Sequence, residues 1–440
     1  MTAAPTRHPG FRPTPLWWDD VTFKRLPPAP LAPRCDVAIV GGGYAGLAAA
    51  LELARAGRAV QLFDRQTLGM GASSRNGGMA SASIRPDIAM LLRRFGTARV
   101  NAILLEGKAA REELRAFLDK ENIACAFSLS GHFTGSFGQQ EHENLARYAD
   151  MLRRLLGIEA FPVGRNDVAT YIGTELYDGG MVRYDIGGLH PAKLLAGLIR
   201  LAQAAGIALH EETAVEAMVP EAGGVCLRTS RGQVTARKVI VCTNAYTDGF
   251  DPWLQRRLVP VRSRIIATES LPSMVMKRLM PAQMMYGDER KLSYYYRPSP
   301  DGTRILFGGR DSTIAGDPLT PTRYLKDEMV RIFPELRDVA LSHSWFGQVA
   351  MHRDMIPRLF SIGDIVYATG FCGSGLVWAR WLGRKAAFRI LGDGEQAASA
   401  FDIDRPPRAI PFYRGRPWFI PLVYALYGLQ DRRALKRQNR

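Results

Sequence analysis

The sequence predicts an α/β fold of two domains, one of them a Rossmann-like dinucleotide-binding sheet. Three observations carry that expectation. Residues 37–46 read Val-Ala-Ile-Val-Gly-Gly-Gly-Tyr-Ala-Gly, an apolar run that enters glycines at 41, 43 and 46. A helical pattern follows at once from Leu47 to Ala54, and a second apolar run, Ala59 to Phe63, ends on Asp64. Later in the chain, short strand-like runs alternate with helical patterns, which implies a mostly parallel sheet. At 440 residues the chain exceeds one simple core, so two domains are expected.

Each part of the opening unit has a physical task. Gly41 permits the tight turn, Gly43 lets backbone approach a pyrophosphate, and Gly46 lets helix and strand pack closely. Phosphates would rest on the positive helix end, where backbone N–H groups lack intrahelical partners. Asp64 sits at the tip of the second strand, where a carboxylate accepts ribose hydroxyls.

The next segment, Gly71-Ala72-Ser73-Ser74-Arg75-Asn76-Gly77-Gly78-Met79, is too polar and glycine-rich for a helix. Residues 93–186 read as helical, with a strand pair near Phe127 to Phe137. Strand and helix patterns return from Gly187 to Thr243 and from Ile365 to Ala387. Between these returns, residues 251–344 are β-rich. There Pro298-Ser299-Pro300-Asp301-Gly302 is a hairpin signal between Leu292–Arg297 and Arg304–Gly309. The expected division is a dinucleotide domain over 33–92, 187–250 and 345–398, and a discontinuous α+β substrate domain over 93–186 and 251–344. Residues 1–32 form an N-terminal extension, and 399–440 a C-terminal segment with a basic tail.

Lys and Arg exceed Asp and Glu by 16. The basic residues are spread along the chain without an RNA-binding signature, which argues against nucleic acid. The five scattered cysteines show no CxxC pair and no metal-like spacing, as suits a reducing, cytoplasmic setting. No apolar run is long enough to span a membrane. At the end, the apolar stretch Trp418 to Tyr427 precedes Arg432, Arg433, Lys436, Arg437 and Arg440. It reads either as a docked helix with a solvated end or as a peripheral contact with an anionic membrane.

Three features favour a flavin over a nicotinamide. The 71–79 segment offers amides and hydroxyls to a flat polar ring. Gly370 to Gly375 ends a strand and starts a helix, a positive end that suits a reduced flavin. There is one GxGxxG and no second, as expected when FAD is the only dinucleotide bound. The layout resembles the D-amino-acid-oxidase-like FAD-dependent oxidoreductases, from about Asp36 to Gly392. The motifs Ser73-Ser74-Arg75-Asn76-Gly77-Gly78, Cys242-Thr243-Asn244-Ala245-Tyr246 and Tyr296-Arg297-Pro298…Phe307-Gly308-Gly309-Arg310, with the Trp17-Trp18 leader, are most similar to the gamma-glutamylputrescine oxidoreductase subgroup. The resemblance implies a glycine/D-amino acid oxidase-like fold. It also implies oxidation of an amine C–N bond by hydride transfer to flavin N5, the imine then being hydrolysed. Gly41, Gly43 and Gly46 would hold the pyrophosphate, and Asp64, Arg65 and Val215 the adenosine end. Ser73, Ser74, Asn76, Gly77 and Met79 would border the ring system, and Gly370, Gly373, Ser374, Gly375 and Leu376 its pyrimidine edge. No cysteine precedes the final strand in Gln348-Val349-Ala350-Met351, so FAD is expected to be non-covalent, with Cys372 a small filler.

Such chemistry needs orientation more than acid–base groups. No Ser-His-Asp set, paired carboxylates or metal pattern is evident, and His132 and His352 read as packed or solvated. Arg297, Arg310 and Arg353 are the candidate clamps for a substrate carboxylate, each with an ion pair as the plainer reading. Either Tyr295 or the Tyr294/Tyr296 pair faces the cavity, since strand side chains alternate. The substrate is expected to be a small amine or amino acid, and the acceptor oxygen or another electron carrier. Two other functions remain open: a tRNA side-chain-modifying flavoenzyme, and a membrane-associated amino acid dehydrogenase that passes electrons to a quinone.

Overall fold

A computed structural model describes residues 7–311, 319–403 and 406–438. Strand Arg34–Val40 pairs in parallel with Val60–Phe63, which pairs in parallel with Ala208–His210. On the other side of Arg34–Val40 runs the long strand Gly232–Val241. Its first half pairs antiparallel with Gly224–Thr229, which pairs antiparallel with Val215–Glu221, and its second half pairs in parallel with Ile365–Thr369. Arg358–Ile362 completes eight strands. Helices Tyr44–Arg55, Pro191–Ala204 and Gly375–Leu391 contribute Leu47, Leu194 and Leu382 to one core with Ile39 and Leu62 of this sheet. Small residues let these helices approach: a Cβ on Gly383 would stand 2.1 Å from the Ala45 carbonyl oxygen.

The second sheet has nine strands, in the order Arg7–Arg12, Leu341–Met351, Val259–Thr268, Ile305–Arg310, Tyr295–Pro298, Met285–Asp288, His132–Ser136, Gly179–Arg183 and Ala160–Gly164. The hairpin is present, and its first strand starts at Tyr295 rather than Leu292. Residues 127–137 hold one strand, not a pair. His132–Ser136 finds its partners far away, in Gly179–Arg183 and, in parallel, Met285–Asp288.

Three stretches sit elsewhere than the sequence-based division placed them. Strand Leu341–Met351 carries residues 345–351 into the nine-stranded sheet, because it pairs with Val259–Thr268 along its whole length. Helices Ile88–Lys120 and Gln139–Leu156 bury Val100, Ile103, Leu114 and Leu152 in the core of the first sheet, although strands between and after them join the second. The leader is not a free extension: Arg7–Arg12 is an edge strand beside Leu341–Met351, and Trp17 is buried. The C-terminal segment ends in helix Ile420–Gln438, whose Ile420 packs against Val259 and Val261.

Candidate active site

Strand register brings four strand ends level: Val40 lies opposite Phe63 and Val241, and Val241 opposite Tyr367. Ligands of such sheets bind outside this carboxyl edge. A cavity of about 510 Å³ opens there. Contacts along its wall set the order of its lining. Asp64 and Thr213–Val215 stand at one end, Gly41–Ala45 and Ser73 in the middle, and Phe371–Leu376, Tyr295 and Arg310 at the other.

At the middle, the glycines are dictated by their surroundings. Gly41 has φ +106°, and a Cβ on Gly46 would lie 1.9 Å from the Gly41 carbonyl oxygen, so Gly46 serves packing and does not line the cavity. A Cβ on Gly43 would stand 2.8 Å from Ser73 Oγ. Helix Tyr44–Arg55 begins at Gly43 with no side-chain cap, and Gly43, Tyr44 and Ala45 face the cavity. A second uncapped helix start, at Ser374, faces the same cavity. The Tyr44 N–H donates to Ser73 Oγ at 3.1 Å, and neither helix end has a capping side chain of its own N-cap residue. Two positive helix ends at one cavity fit a ligand with anionic character at two places, and FAD has a pyrophosphate and an electron-rich pyrimidine edge.

Asp64 lines the adenosine end, and its carboxylate also secures the turn: Oδ2 accepts the Gly42 N–H at 2.8 Å and Oδ1 the Gln66 N–H at 2.9 Å. Burial pushes its pKa up. Val215 and Arg65 line this end too, with Arg65 paired to Asp248 at the surface. The 71–79 segment divides by residue. Ser73, Asn76, Gly77 and Met79 line the cavity. Ser74 does not: it turns away, donating to the Gly69 carbonyl and accepting the Trp18 indole N–H at 3.2 Å. Asn76 folds back on its own loop, donating to the Ser73 carbonyl at 2.8 Å and accepting the Gly78 N–H at 2.9 Å. From outside, Trp17 donates to the Asn76 carbonyl and Trp345 to the Arg75 carbonyl, both at 2.8 Å. The Arg75 guanidinium stacks 4.6 Å over Trp18. The leader therefore fixes this loop; its signal was a tryptophan pair in an otherwise proline-rich stretch.

Gly373, Ser374, Gly375 and Leu376 line the far end, whereas Gly370 does not. Gly370 has φ +70°, and a Cβ there would meet the His352 ring at 2.0 Å. His352 is thus packing, its Nδ1 bonded to the Arg257 carbonyl at 3.0 Å. Cys372 does line the cavity, and burial pushes its thiol up to about 12, so it stays protonated.

Tyr295 and Arg310 face the cavity together. The Tyr295 ring fits because Gly308 and Gly77 lack side chains: their Cβ atoms would meet it at 2.2 and 3.0 Å. Its hydroxyl shares a 2.9 Å hydrogen bond with Ser263 Oγ. Tyr294 lines the cavity as well, because it precedes the strand and escapes the alternation, while Tyr296 turns away to Tyr177. Arg310 has no hydrogen bond or ion pair among the described residues. Asp311, its sequence neighbour, goes instead to Arg262 and Arg264.

The other two arginines are not clamps. Arg297 shares the face of Tyr295 but stands two residues on, where Gly78 and Gly188 close over it. It donates to the carbonyls of Gly78, Leu189 and Pro298 at 2.9–3.0 Å. Arg353 follows the turn at His352 and points to solvent. In its place stands Arg85, which the sequence reading passed over. Arg85 lines the cavity and donates to Ser293 Oγ at 3.1 Å and the Lys291 carbonyl at 3.0 Å. Burial and then Arg310 hold its pKa down to about 10. No carboxylate among the described residues pairs with Arg85 or Arg310. His132, read from sequence as packed or solvated, also lines the cavity. Its Nδ1 is 3.2 Å from Thr134 Oγ1, and burial holds it down to about 4, hence neutral.

Residues 36–389 match the family described as FAD dependent oxidoreductase, DAO. The chain is 32% identical to the gamma-glutamylputrescine oxidoreductase of Escherichia coli K12, over 90% of this chain and 93% of that protein. It is 29% identical to a probable oxidoreductase, OrdL, of Rhizobium meliloti, over 94% and 97%. Among solved structures, glycine oxidase from Geobacillus kaustophilus superposes with a TM-score of 0.69 at 21% identity, covering 84% of this chain and 97% of the other. L-proline dehydrogenase from P. horikoshii gives the same TM-score at 17% identity, over 89% and 99%. These structural likenesses bear on the fold.

Proposed function

This chain belongs to the DAO family of FAD-dependent oxidoreductases, which act on amines or amino acids, and on that footing we propose that its substrate is a small amine bearing a carboxylate. A gamma-glutamylputrescine-like amine or an N-substituted amino acid fits that description. One observation carries the reading: Arg85 and Arg310 line the cavity, and no carboxylate among the described residues pairs with either. A bound carboxylate supplies the missing charge, and the planar guanidinium forks fix its orientation.

When bound, FAD supplies the two-electron acceptor. Gly43, Tyr44 and Ala45 would hold its pyrophosphate, and Asp64, Arg65 and Val215 its adenosine end. Ser73, Asn76, Gly77 and Met79 would border the ring, with Gly373 to Leu376 towards its pyrimidine edge. Binding is non-covalent, in keeping with a protonated, buried Cys372. The Tyr295 ring walls the substrate space. Neutral His132 adds no positive charge against the substrate nitrogen, which has to shed its ammonium proton before the C–N bond is oxidised. Oxidation removes two electrons and two protons to leave an imine, and water hydrolyses it. Oxygen or another carrier then takes the electrons.

The test is a screen of amines and amino acids without oxygen, read as loss of the visible flavin band. Bleaching by carboxylate-bearing amines, and not by the same amines with the acid as an amide, is the expected result. Equal bleaching by both sets refutes the substrate class. Bleaching by nicotinamide nucleotides alone refutes amine oxidation itself.

A further inference from the structure

The C-terminal helix Ile420–Gln438 shows two unlike faces. Its inner face is tied down. Ile420 is buried against Val259 and Val261, and the Asp431 carboxylate accepts the backbone N–H groups of Lys291 and Leu292 at 2.8 and 3.0 Å. The outer face presents Leu422, Leu426 and Leu429 at helical spacing, and Trp418 stands exposed in the turn just ahead of the helix. Trp418 is 65% exposed and Leu422 64%. Phe412 is 95% exposed, and its backbone holds the left-handed conformation at φ +57°, unusual for a bulky residue. An exposed apolar stripe of this kind marks an interaction surface.

Charge identifies the occupant. From Arg405 to Arg440 nine residues are Lys or Arg, and Asp431 is the only acid. That one acid is spent inward, on the 291–292 backbone. Arg408, Arg414, Arg416 and Arg432, on the same segment, are exposed too. An apolar stripe on a segment this rich in cations, its one acid bonded to the 291–292 backbone, matches the acyl boundary and headgroups of an anionic bilayer. No helix among the described residues is long and apolar enough to cross a membrane, so the contact lies in the plane of the surface.

We propose that this segment docks the enzyme on an anionic lipid surface. The stripe enters the acyl boundary, and the flanking arginines and lysines meet the headgroups. Docking also touches the active site at one remove. The 291–293 segment that the helix clasps is the one Arg85 binds, so the cavity end that carries Arg85 lies directly behind the docked helix.

The experiment is vesicle flotation of the full-length, FAD-loaded protein. Vesicles of phosphatidylcholine alone are compared with vesicles containing phosphatidylglycerol. The expected result is co-flotation with the anionic vesicles, falling as salt rises, and little with the neutral ones. The Leu422→Asp/Leu426→Asp variant and the Arg432→Glu/Arg433→Glu variant each bind at least about tenfold more weakly. Leu422, Leu426 and Arg432 are exposed and none of them lines the cavity, so both variants keep their FAD and their turnover of a soluble amine. Three results overturn the proposal. One is the absence of flotation with anionic vesicles. Another is flotation that neither variant weakens. The third is a concentration-dependent dimer in light scattering that Leu422→Asp/Leu426→Asp dissociates, which assigns the stripe to a second copy of the chain.

Discussion

Replacing Arg310 by Ala separates a substrate clamp from a structural cation, because the two roles move activity and stability in opposite senses. Among the described residues Arg310 has no partner to lose, and its charge lowers the pKa of Arg85. Its removal relieves a repulsion and strands no carboxylate among the described residues. The thermal midpoint of the FAD-loaded variant therefore stays level or rises. Catalysis behaves otherwise. Truncating one side of a desolvated charge pair costs about 2–5 kcal/mol, hence a loss of ~30-fold or more in kcat/KM. Arg310→Lys recovers part of this, since it restores charge without the fork. The assay is stopped-flow reduction without oxygen, on a carboxylate-bearing amine and on its amide counterpart. The loss falls on the former. Arg297→Ala is the contrast: it leaves three carbonyl groups short of a donor and lowers the midpoint. Wild-type rates for Arg310→Ala on the carboxylate substrate, or a lowered midpoint with unchanged discrimination, refute the reasoning.

Gly43→Val abolishes FAD retention while the circular dichroism spectrum survives, because its first carbon alone would stand 2.8 Å from Ser73 Oγ where backbone faces the cavity; stoichiometric flavin in the variant contradicts the placement. Trp17→Ala empties a fully buried site and costs about 3–5 kcal/mol, seen as a lower unfolding midpoint and faster FAD loss than in Trp18→Phe. Acid precipitation leaves all the flavin in the supernatant; colour in the pellet means a covalent bond. Burial first, with Arg231 for His210, holds the buried rings of His210 and His352 at a pKa of about 4, against 6.5 when free. The unfolded chain takes up those protons first. Their contribution is thus whole above about pH 6.5 and declines towards pH 4, by ~1.4 kcal/mol per pH unit for each ring. Thermal midpoints that do not fall from about pH 7 to about pH 5 contradict this.

The dinucleotide end was legible because its determinants are local. Gly41, Gly43, Gly46 and Asp64 lie within one strand–helix–strand unit, and the turn, the helix start and the strand tip follow from their spacing. The substrate end was not, because it is assembled by pairing across long separations. Arg85 enters the cavity only because the 291–293 segment stands beside it, and nothing near Arg85 in sequence announces that. Arg297 looked as suitable as Arg310, and the difference lies in Gly78 and Gly188 closing over one and not the other. Strand Gly179–Arg183, rich in glycine, carries little signal of its own and exists through its neighbours at 132–136 and 160–164.

The ring-binding loop is held by Trp17 on one side and Trp345 on the other, and residues 7–12 run beside the strand that carries Trp345. A ribosome making this chain thus releases the two halves of one clasp more than three hundred residues apart. Until the second half emerges, the loop has the sequence of a cofactor site without the shape of one. FAD capture is then a late event in biosynthesis, and the flavin content of purified protein reports how completely the two halves of the clasp have met.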